Sequence, residues 1–298
     1  MKFTGILIAN RGEISIRIAR AAADIGIRSV AVYSSDDQES LHTKIANEAV
    51  LIPGLGASAY LDINQIIQAA QDANCDAIHP GYGFLSERVE LAASCAAVGI
   101  TFIGPTEEHL TLFGDKGAAR RAAIDAGVPV LKGTDHPVEI DELTEFFDAV
   151  EGSIIIKAVA GGGGRGTRVV HKKADLKEAF ARCQSEAEAA FGLRDVYVEE
   201  FLARARHIEV QIIGDSMGNI THLGERECSV QRRNQKVVEI APAPNLPVSL
   251  RDKIIRAAVN FAHQQNYLSL GTFEFLVDDS VSDDQFVFIE ANARLQVE

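Results

Sequence analysis

The sequence predicts an α/β domain with a doubly wound parallel sheet, followed by an α+β region, and three observations carry that reading. Short apolar runs alternate with helical periodicity over the first hundred residues. Their connections are short, as in a parallel sheet covered on both faces. Beyond about residue 195 the pattern changes to successive strands joined by turns.

Element by element, residues 3–9 (FTGILIA) form a first apolar run. Ile14, Ile18, Ala21, Ala22 and Ile25 then recur at helical spacing up to Gly26, a helix stop. Residues 28–34 read as a strand, 39–47 and 62–73 as helical, 76–80 as a strand, 87–98 as a helix and 100–104 as a strand. Residues 106–127 are helical with an interruption at Gly114. Residues 154–160 (IIIKAVA) read as a buried strand, 161–166 (GGGGRG) as a loop, 167–171 as a second strand and 174–190 as a long helix. Strands follow at 196–202, 206–213, 219–229 and 236–241, then a helix at 249–265 and strands at 269–277 and 285–291. The expected division is a first domain over residues 1–110 and a second over 111–298.

Composition narrows the function. The chain has 298 residues, 47% of them hydrophobic and 24% charged, which excludes a disordered or collagen-like chain. Twenty-nine basic against 42 acidic residues leave a net charge of −13, which argues against nucleic acid as the main partner. Cys75, Cys95, Cys183 and Cys228 lie far apart with no C-x-x-C pair, as reduced thiols of a cytoplasmic protein would. No run approaches 18 apolar residues, so no membrane span is expected.

Generic motifs are few. No P-loop is present, and Ala9-Asn10-Arg11-Gly12-Glu13 after the first strand lacks the glycines of a dinucleotide fingerprint. Gly214-Asp215-Ser216-Met217-Gly218 matches G-x-S-x-G, but strands flank it on both sides, so it reads as a hairpin turn and Ser216 as no nucleophile. The run Gly161–Gly164 is different. Ordering four glycines costs more backbone entropy than a hairpin turn justifies. A phosphate cradle of successive N–H groups, with Lys157 just upstream, uses them; a flexible turn is the alternative.

Glu274 and Glu290 each interrupt an apolar strand on either side of an obvious turn at 278–284. If the turn centres on Ser282, residues whose numbers sum to 564 face each other, and these two glutamates do. Opposed carboxylates roughly 5 Å apart repel. Either one is protonated or a hard cation bridges them, with Asn292 near; oxygen ligands suit Mg²⁺ or Mn²⁺. A register shifted by one or two residues, leaving both acids solvated, is the alternative. The basic run Gln231-Arg232-Arg233-Asn234-Gln235-Lys236, and Arg294 near the last residues, suit either an anion site or a solvated surface. His207 alone reads as a surface or capping residue.

Together these residues resemble the biotin carboxylase family of the ATP-grasp superfamily. The likeness rests on IANRGEISIRI (8–18), HPGYGFLSE (79–87), GDK (114–116), IIKAVAGGGGRG (155–166), RHIEVQI (206–212), ERECSVQRRNQKVVEIAPAP (225–244), GTFEF (271–275) and FIEANARLQVE (288–298). It implies an ATP-grasp domain with a mobile glycine-rich lid at about 130–202. Lys116, Lys157, Gly163 and Gly164 would meet the ATP phosphates. Glu199, Glu200, Phe201, Leu202, His207, Gln231, Asn234 and Leu276 would contact the rest of the nucleotide. Glu274, Glu290 and Asn292 would hold two Mg²⁺ or Mn²⁺ ions. Lys236, Arg294, Gln296 and Val297 would bind bicarbonate, with Glu298 as the base; Lys236, Arg294 and Glu298 would be catalytic. Tyr82 and Gly83 would stand on the biotin side.

The resemblance further implies ATP-dependent carboxylation of carrier-bound biotin, the first half-reaction of an acyl-CoA, pyruvate or urea carboxylase. Its expected partners are a biotin carboxyl carrier, a carboxyltransferase and a second copy in a homodimer. The family motif normally continues past Glu298, so a C-terminally truncated core is expected. A carbamoyl-phosphate-type ATP-grasp ligase and a non-catalytic ATP-binding module are the alternatives.

Overall fold

Five short strands of the N-terminal region pair side by side, all parallel. They are β1 (Gly5–Ile8), β2 (Arg28–Tyr33), β3 (Glu48–Leu51), β4 (Ala77–His79) and β5 (Thr101–Phe102), in the order β3-β2-β1-β4-β5. The computed structural model describes residues 3–150, 152–159, 166–232, 235–278 and 285–297. Backbone contacts divide it into a unit of Met1–Thr111, Leu268–Gly271 and Ala293–Glu298, and a second unit of Leu112–Tyr267 and Thr272–Asn292. Among the described residues no helix is long and apolar enough to cross a membrane.

In the first unit β1 is buried on both faces, which explains why its sequence is uniformly apolar rather than alternating. Leu7 and Ala9 pack with Ile66, Ile67 and Ala70 of α4 (Ile63–Asp72) and with Leu91 and Cys95 of α5 (Val89–Ala97). Ile6 and Ile8 pack on the opposite side against Ile14, Ile18 and Ala22 of α1 (Gly12–Asp24). Ile25, read as part of that helical face, lies beyond it and is 62% exposed. The 39–47 segment holds only the short α2 (Leu41–Ile45), and a further turn of helix, α3 (Gly56–Ala59), precedes α4. Two elements absent from the sequence reading therefore appear here: α3 and β3, the latter a mostly exposed edge strand.

The second unit contains α6 (Glu107–Gly114) in part, α7 (Lys116–Asp125) and α8 (Ile140–Ala149). Asp115 separates α6 from α7 and caps the latter, accepting a bond from the Ala118 N–H at 2.8 Å. A three-stranded antiparallel sheet follows, made of β6 (Ile154–Ala158), β7 (Thr167–Val170) and β8 (Val196–Glu200) in the order β7-β6-β8. Ile154, Ile156, Val196 and Val198 on one face meet Leu143 of α8 and Phe180 and Cys183 of α9 (Leu176–Phe191). Lys157, Tyr197 and Glu199 occupy the other face, since side chains alternate along each strand.

A five-stranded sheet completes this unit: β9 (Ala205–Gly214), β10 (Ile220–Arg232), β11 (Gln235–Ile240), β12 (Ser269–Asp278, of which this unit holds the part from Thr272) and β13 (Phe286–Asn292), ordered β11-β10-β9-β12-β13. Residues 215–219 turn the chain from β9 to β10, with Asp215 Oδ1 accepting from the N–H groups of Met217 and Asn219, so Ser216 sits in a hairpin turn. One face of this sheet is apolar. Ile208, Val210, Ile212, Phe273 and Phe275 are fully buried there. Phe273 and Phe288 make edge-to-face contacts with Phe261 of α10 (Val248–Gln264), each with centroids 5.3 Å apart. The opposite face carries the polar residues. All four cysteines are free and buried.

Candidate functional site

The polar face of the five-stranded sheet is built by strand alternation. On β9, Ile208, Val210 and Ile212 point to the aromatic core, so His207, Glu209 and Gln211 point away from it. On β12 the same alternation puts Thr272, Glu274 and Leu276 opposite Phe273, Phe275 and Val277. Glu274 faces Glu290 directly, while the pairs nearer the turn are Phe275–Phe288, Leu276–Val287 and Val277–Phe286. Ile289 is thus an extra residue, a β-bulge. It lets Phe288 join the aromatic core while Glu290 and Asn292 join Glu274 on the polar face. The turn rule gives the right partner for the glutamates and is off by one residue below them.

Both glutamates lie among cations. Glu274 is 1% exposed. Its Oε2 accepts from His207 Nε2 at 2.6 Å, and its Oε1 accepts from Lys236 Nζ at 2.8 Å and from Asn292 Nδ2 at 2.5 Å. Burial, and then repulsion from Glu290, still raise its pKa above the ordinary carboxylate value. The closeness of the two acids is therefore met by Lys236, His207 and Asn292 within the protein, a solution the sequence reading did not consider. Lys116, the first residue of α7, lies within the field of Glu290; burial lowers its pKa, with Glu290 opposing and the Lys157 charge adding to the effect.

The orientation of His207 is fixed by its neighbours. Gln231 Nε2 donates to the Cys228 carbonyl at 2.8 Å and to His207 Nδ1 at 2.8 Å. A carbonyl only accepts, so the amide must present its NH₂ end, and His207 Nδ1 must be the bare acceptor. Its proton then sits on Nε2, aimed at Glu274.

Glu209, which sequence reasoning passed over, is the centre of a second cluster. It is 0% exposed and accepts from Arg226 Nε at 2.7 Å and from Lys236 Nζ. Burial pushes its pKa up, but Lys236 and Arg226 outweigh that and hold it well below the ordinary value. Lys236 in turn stays protonated above its usual range because Glu274 and Glu209 together overcome the cost of its burial. The available signal was position: Glu209 shares the face of His207 two residues earlier.

On the three-stranded sheet, Lys157 is directly opposite Tyr197, and its Nζ lies 2.5 Å from Glu199 Oε2. Burial alone would lower the Lys157 pKa, but Glu199 and Tyr197 raise it. Arg120 of α7 approaches the other oxygen of Glu199 at 3.5 Å. The N–H groups of Glu200 and Phe201 donate to the carbonyls of Lys132 and Ser153; Phe201 also sets its ring edge-on to His171. Leu202 is half-buried. Gly163, Gly164, Asn234 and Glu298 lie outside the described residues.

The first unit holds the remaining candidates. Arg294 donates from Nη1 to Gln296 Oε1 at 3.0 Å, and its Nε lies 3.4 Å from Glu87 Oε2. Gln296 is 5% exposed, and its Nε2 has no hydrogen-bond partner among the described residues, an orphaned donor suited to an anion. Arg17 of α1 donates to the carbonyls of Gln296 and Val297. Tyr82 and Gly83 line an open cleft of about 460 Å³ with Asn10–Ile14, Asp37, Ser40 and Phe84. The cleft lies where strand order reverses between β1 and β4, the usual ligand crevice of such sheets. Asn10 Nδ2 donates to the carbonyls of Pro80 and Tyr82 and so fixes the loop.

Glu274, Glu290 and the amide oxygen of Asn292 form an all-oxygen donor set for a hard divalent cation, so the residues fit one. As it stands, Asn292 offers its N–H end to Glu274, so it must turn its amide over to act as a ligand.

A doubly wound parallel-sheet domain followed by a half built on two antiparallel sheets is the class of fold that comparison with known proteins identifies. Residues 2–110 match the family described as biotin carboxylase, N-terminal domain, and residues 115–298 that described as carbamoyl-phosphate synthase L chain, ATP binding domain. The biotin carboxylase–β-γ-ATP complex from Campylobacter jejuni superposes with a TM-score of 0.96 at 44% identity, covering 100% of this chain and 66% of that one. The 2-oxoglutarate carboxylase biotin carboxylase domain of Hydrogenobacter thermophilus, in complex with MgADP, ADP and bicarbonate, gives 0.95 at 40% identity and covers 100% and 65%. Pyruvate carboxylase of Bacillus subtilis (strain 168) is 53% identical over 297 residues, 98% of this chain and 25% of that protein. The human mitochondrial pyruvate carboxylase is 52% identical over the same share of each. The chain belongs to the biotin carboxylase family. It spans about a quarter of the length of the pyruvate carboxylases it matches.

Proposed function

We propose that the protein carboxylates biotin at the expense of ATP, with bicarbonate as the carbon source. One observation carries this reading: two paired strands set Glu274 against Glu290 on a face ringed by Lys116, His207, Lys236 and Asn292. Lys116 and Lys157, with the Gly163–Gly164 loop, hold the ATP phosphates; Glu199 to Leu202, His207, Gln231, Asn234 and Leu276 contact the rest of the nucleotide. Glu274, Glu290 and Asn292 hold Mg²⁺ or Mn²⁺, which supplies neutralising charge to the phosphate oxygens when bound. Lys236, Arg294, Gln296 and the Val297 backbone hold bicarbonate.

Bicarbonate is a poor electrophile and needs activation. Glu298 takes its proton, and the resulting oxyanion attacks the γ-phosphorus of ATP, releasing ADP and forming carboxyphosphate. Lys236 and Arg294 offset the charge of one anion attacking another. Carboxyphosphate yields CO₂ to N1 of biotin, with the released phosphate as base, and lid closure excludes water. Tyr82 and Gly83 stand on the biotin side. The partners of this reading are a biotin carboxyl carrier, a carboxyltransferase and a second copy of the chain.

The test is ADP release by the protein as encoded. Bicarbonate- and biotin-dependent release that falls about 100-fold or more in Glu298→Gln is the expected result. Because the ATP-binding half matches a carbamoyl-phosphate synthase description, ammonia is the control substrate. Ammonia-dependent, biotin-independent turnover would replace this reading with a carbamoyl-phosphate-type one.

A further inference from the structure

The two oxygens of Glu274 are held differently. Oε2 receives one bond, from a His207 whose tautomer is locked by Gln231 and Cys228. Oε1 receives two, from the Lys236 ammonium and the Asn292 amide. Both Oε1 donors have somewhere else to go. Lys236 keeps its contact with the fully buried Glu209, and Asn292 offers oxygen in place of N–H when its amide is reversed. His207 has no such freedom, because turning it breaks the Gln231 bond.

We propose that Lys236 is the resident counter-ion of the metal carboxylate, occupying Glu274 Oε1 until a divalent cation takes that oxygen and then withdrawing onto Glu209, while His207 keeps Oε2. The inference rests on the reading that Glu274 and Glu290 hold the divalent ion. Its reason is charge: a buried carboxylate, Glu274, facing a half-buried one, Glu290, requires a cation near it at all times. An ammonium and a divalent ion cannot share one oxygen at contact distance without strong mutual repulsion. The exchange ties the metal site to Glu209, since Lys236 leaves Glu274 only when metal arrives.

The experiment uses Mn²⁺ as the probe, with and without ADP. Free Mn²⁺ is measured by electron paramagnetic resonance, and amine reactivity by acetic anhydride labelling read by mass spectrometry. In the wild-type protein, saturating Mn²⁺ is expected to raise acetylation of Lys236 severalfold, with Lys172 as the internal reference, and a chelator to reverse it. Lys236→Met is expected to bind Mn²⁺ about tenfold more tightly, because no resident cation has to be displaced. Bound Mn²⁺ with unchanged or reduced Lys236 labelling overturns the inference while leaving the metal reading intact, as does unchanged or weaker Mn²⁺ binding by Lys236→Met. Wild-type protein that binds Mn²⁺ no better than Glu274→Gln removes the metal reading and the inference with it.

Discussion

Replacing Glu209 by glutamine tests the electrostatic account of the polar face directly. The side chain is 0% exposed, and its two oxygens are each committed, Oε1 to Arg226 and Oε2 to Lys236. Glutamine keeps the shape, so no cavity term enters. It can accept at one end only, and its NH₂ end faces a cation. Removing one partner from a buried ion cluster costs about 3–5 kcal/mol. At roughly 2–4 °C per kcal/mol for a chain of this size, the melting temperature falls by about 6–20 °C. Acid gives an internal check. The folded-state pKa of Glu209 lies below its ordinary 4.5, so its stabilisation is present above that value and lost as pH falls towards the folded pKa. The gap between wild type and Glu209→Gln, followed by urea denaturation, must therefore narrow below about pH 4.5. A loss under about 1 kcal/mol at pH 7, or a gap that stays constant into acid, would refute the reasoning.

Two further outcomes follow from the first unit. Burial, and then the Arg17 charge, lower the pKa of His79 from 6.5 to about 4, so stability is complete above pH 6.5 and declines as pH falls towards 4, by about 3 kcal/mol in total. His79→Gln should abolish that decline in denaturant titrations between these pH values. Gly81 has φ +66, and an added Cβ would lie 2.9 Å from Asn10 Nδ2 and 3.1 Å from Ile14 Cγ1. Gly81→Ala should cost about 1–3 kcal/mol in thermal unfolding, since it combines left-handed strain with a clash against the residue that anchors the loop.

The parallel sheet was legible because strands buried on both faces read as unbroken apolar runs, as β1 does. β3 was not, because an exposed edge strand beginning with Glu48 carries no such signal. α8 carried one, in Ile140, Leu143 and Phe147 at helical spacing, that went unread. At the site, opposition of Glu274 and Glu290 could be inferred from a hairpin, but the bulge at Ile289 could not, because nothing local distinguishes an unpaired isoleucine from its paired neighbours. Glu209 looked like the solvent side of an alternating strand. Around it stand Arg226, paired with it on β10, and Lys236 from β11, a long-range arrangement that spacing along β9 does not encode.

The supernumerary isoleucine settles which substitutions the last hairpin can tolerate. Its own chemistry matters little, so valine or leucine should serve there. Its removal is another matter: with seven positions reduced to six, Phe288 and Glu290 would become next-door neighbours, and one of them would have to enter the other's compartment. Length at that point, rather than identity, keeps grease and charge apart in β13.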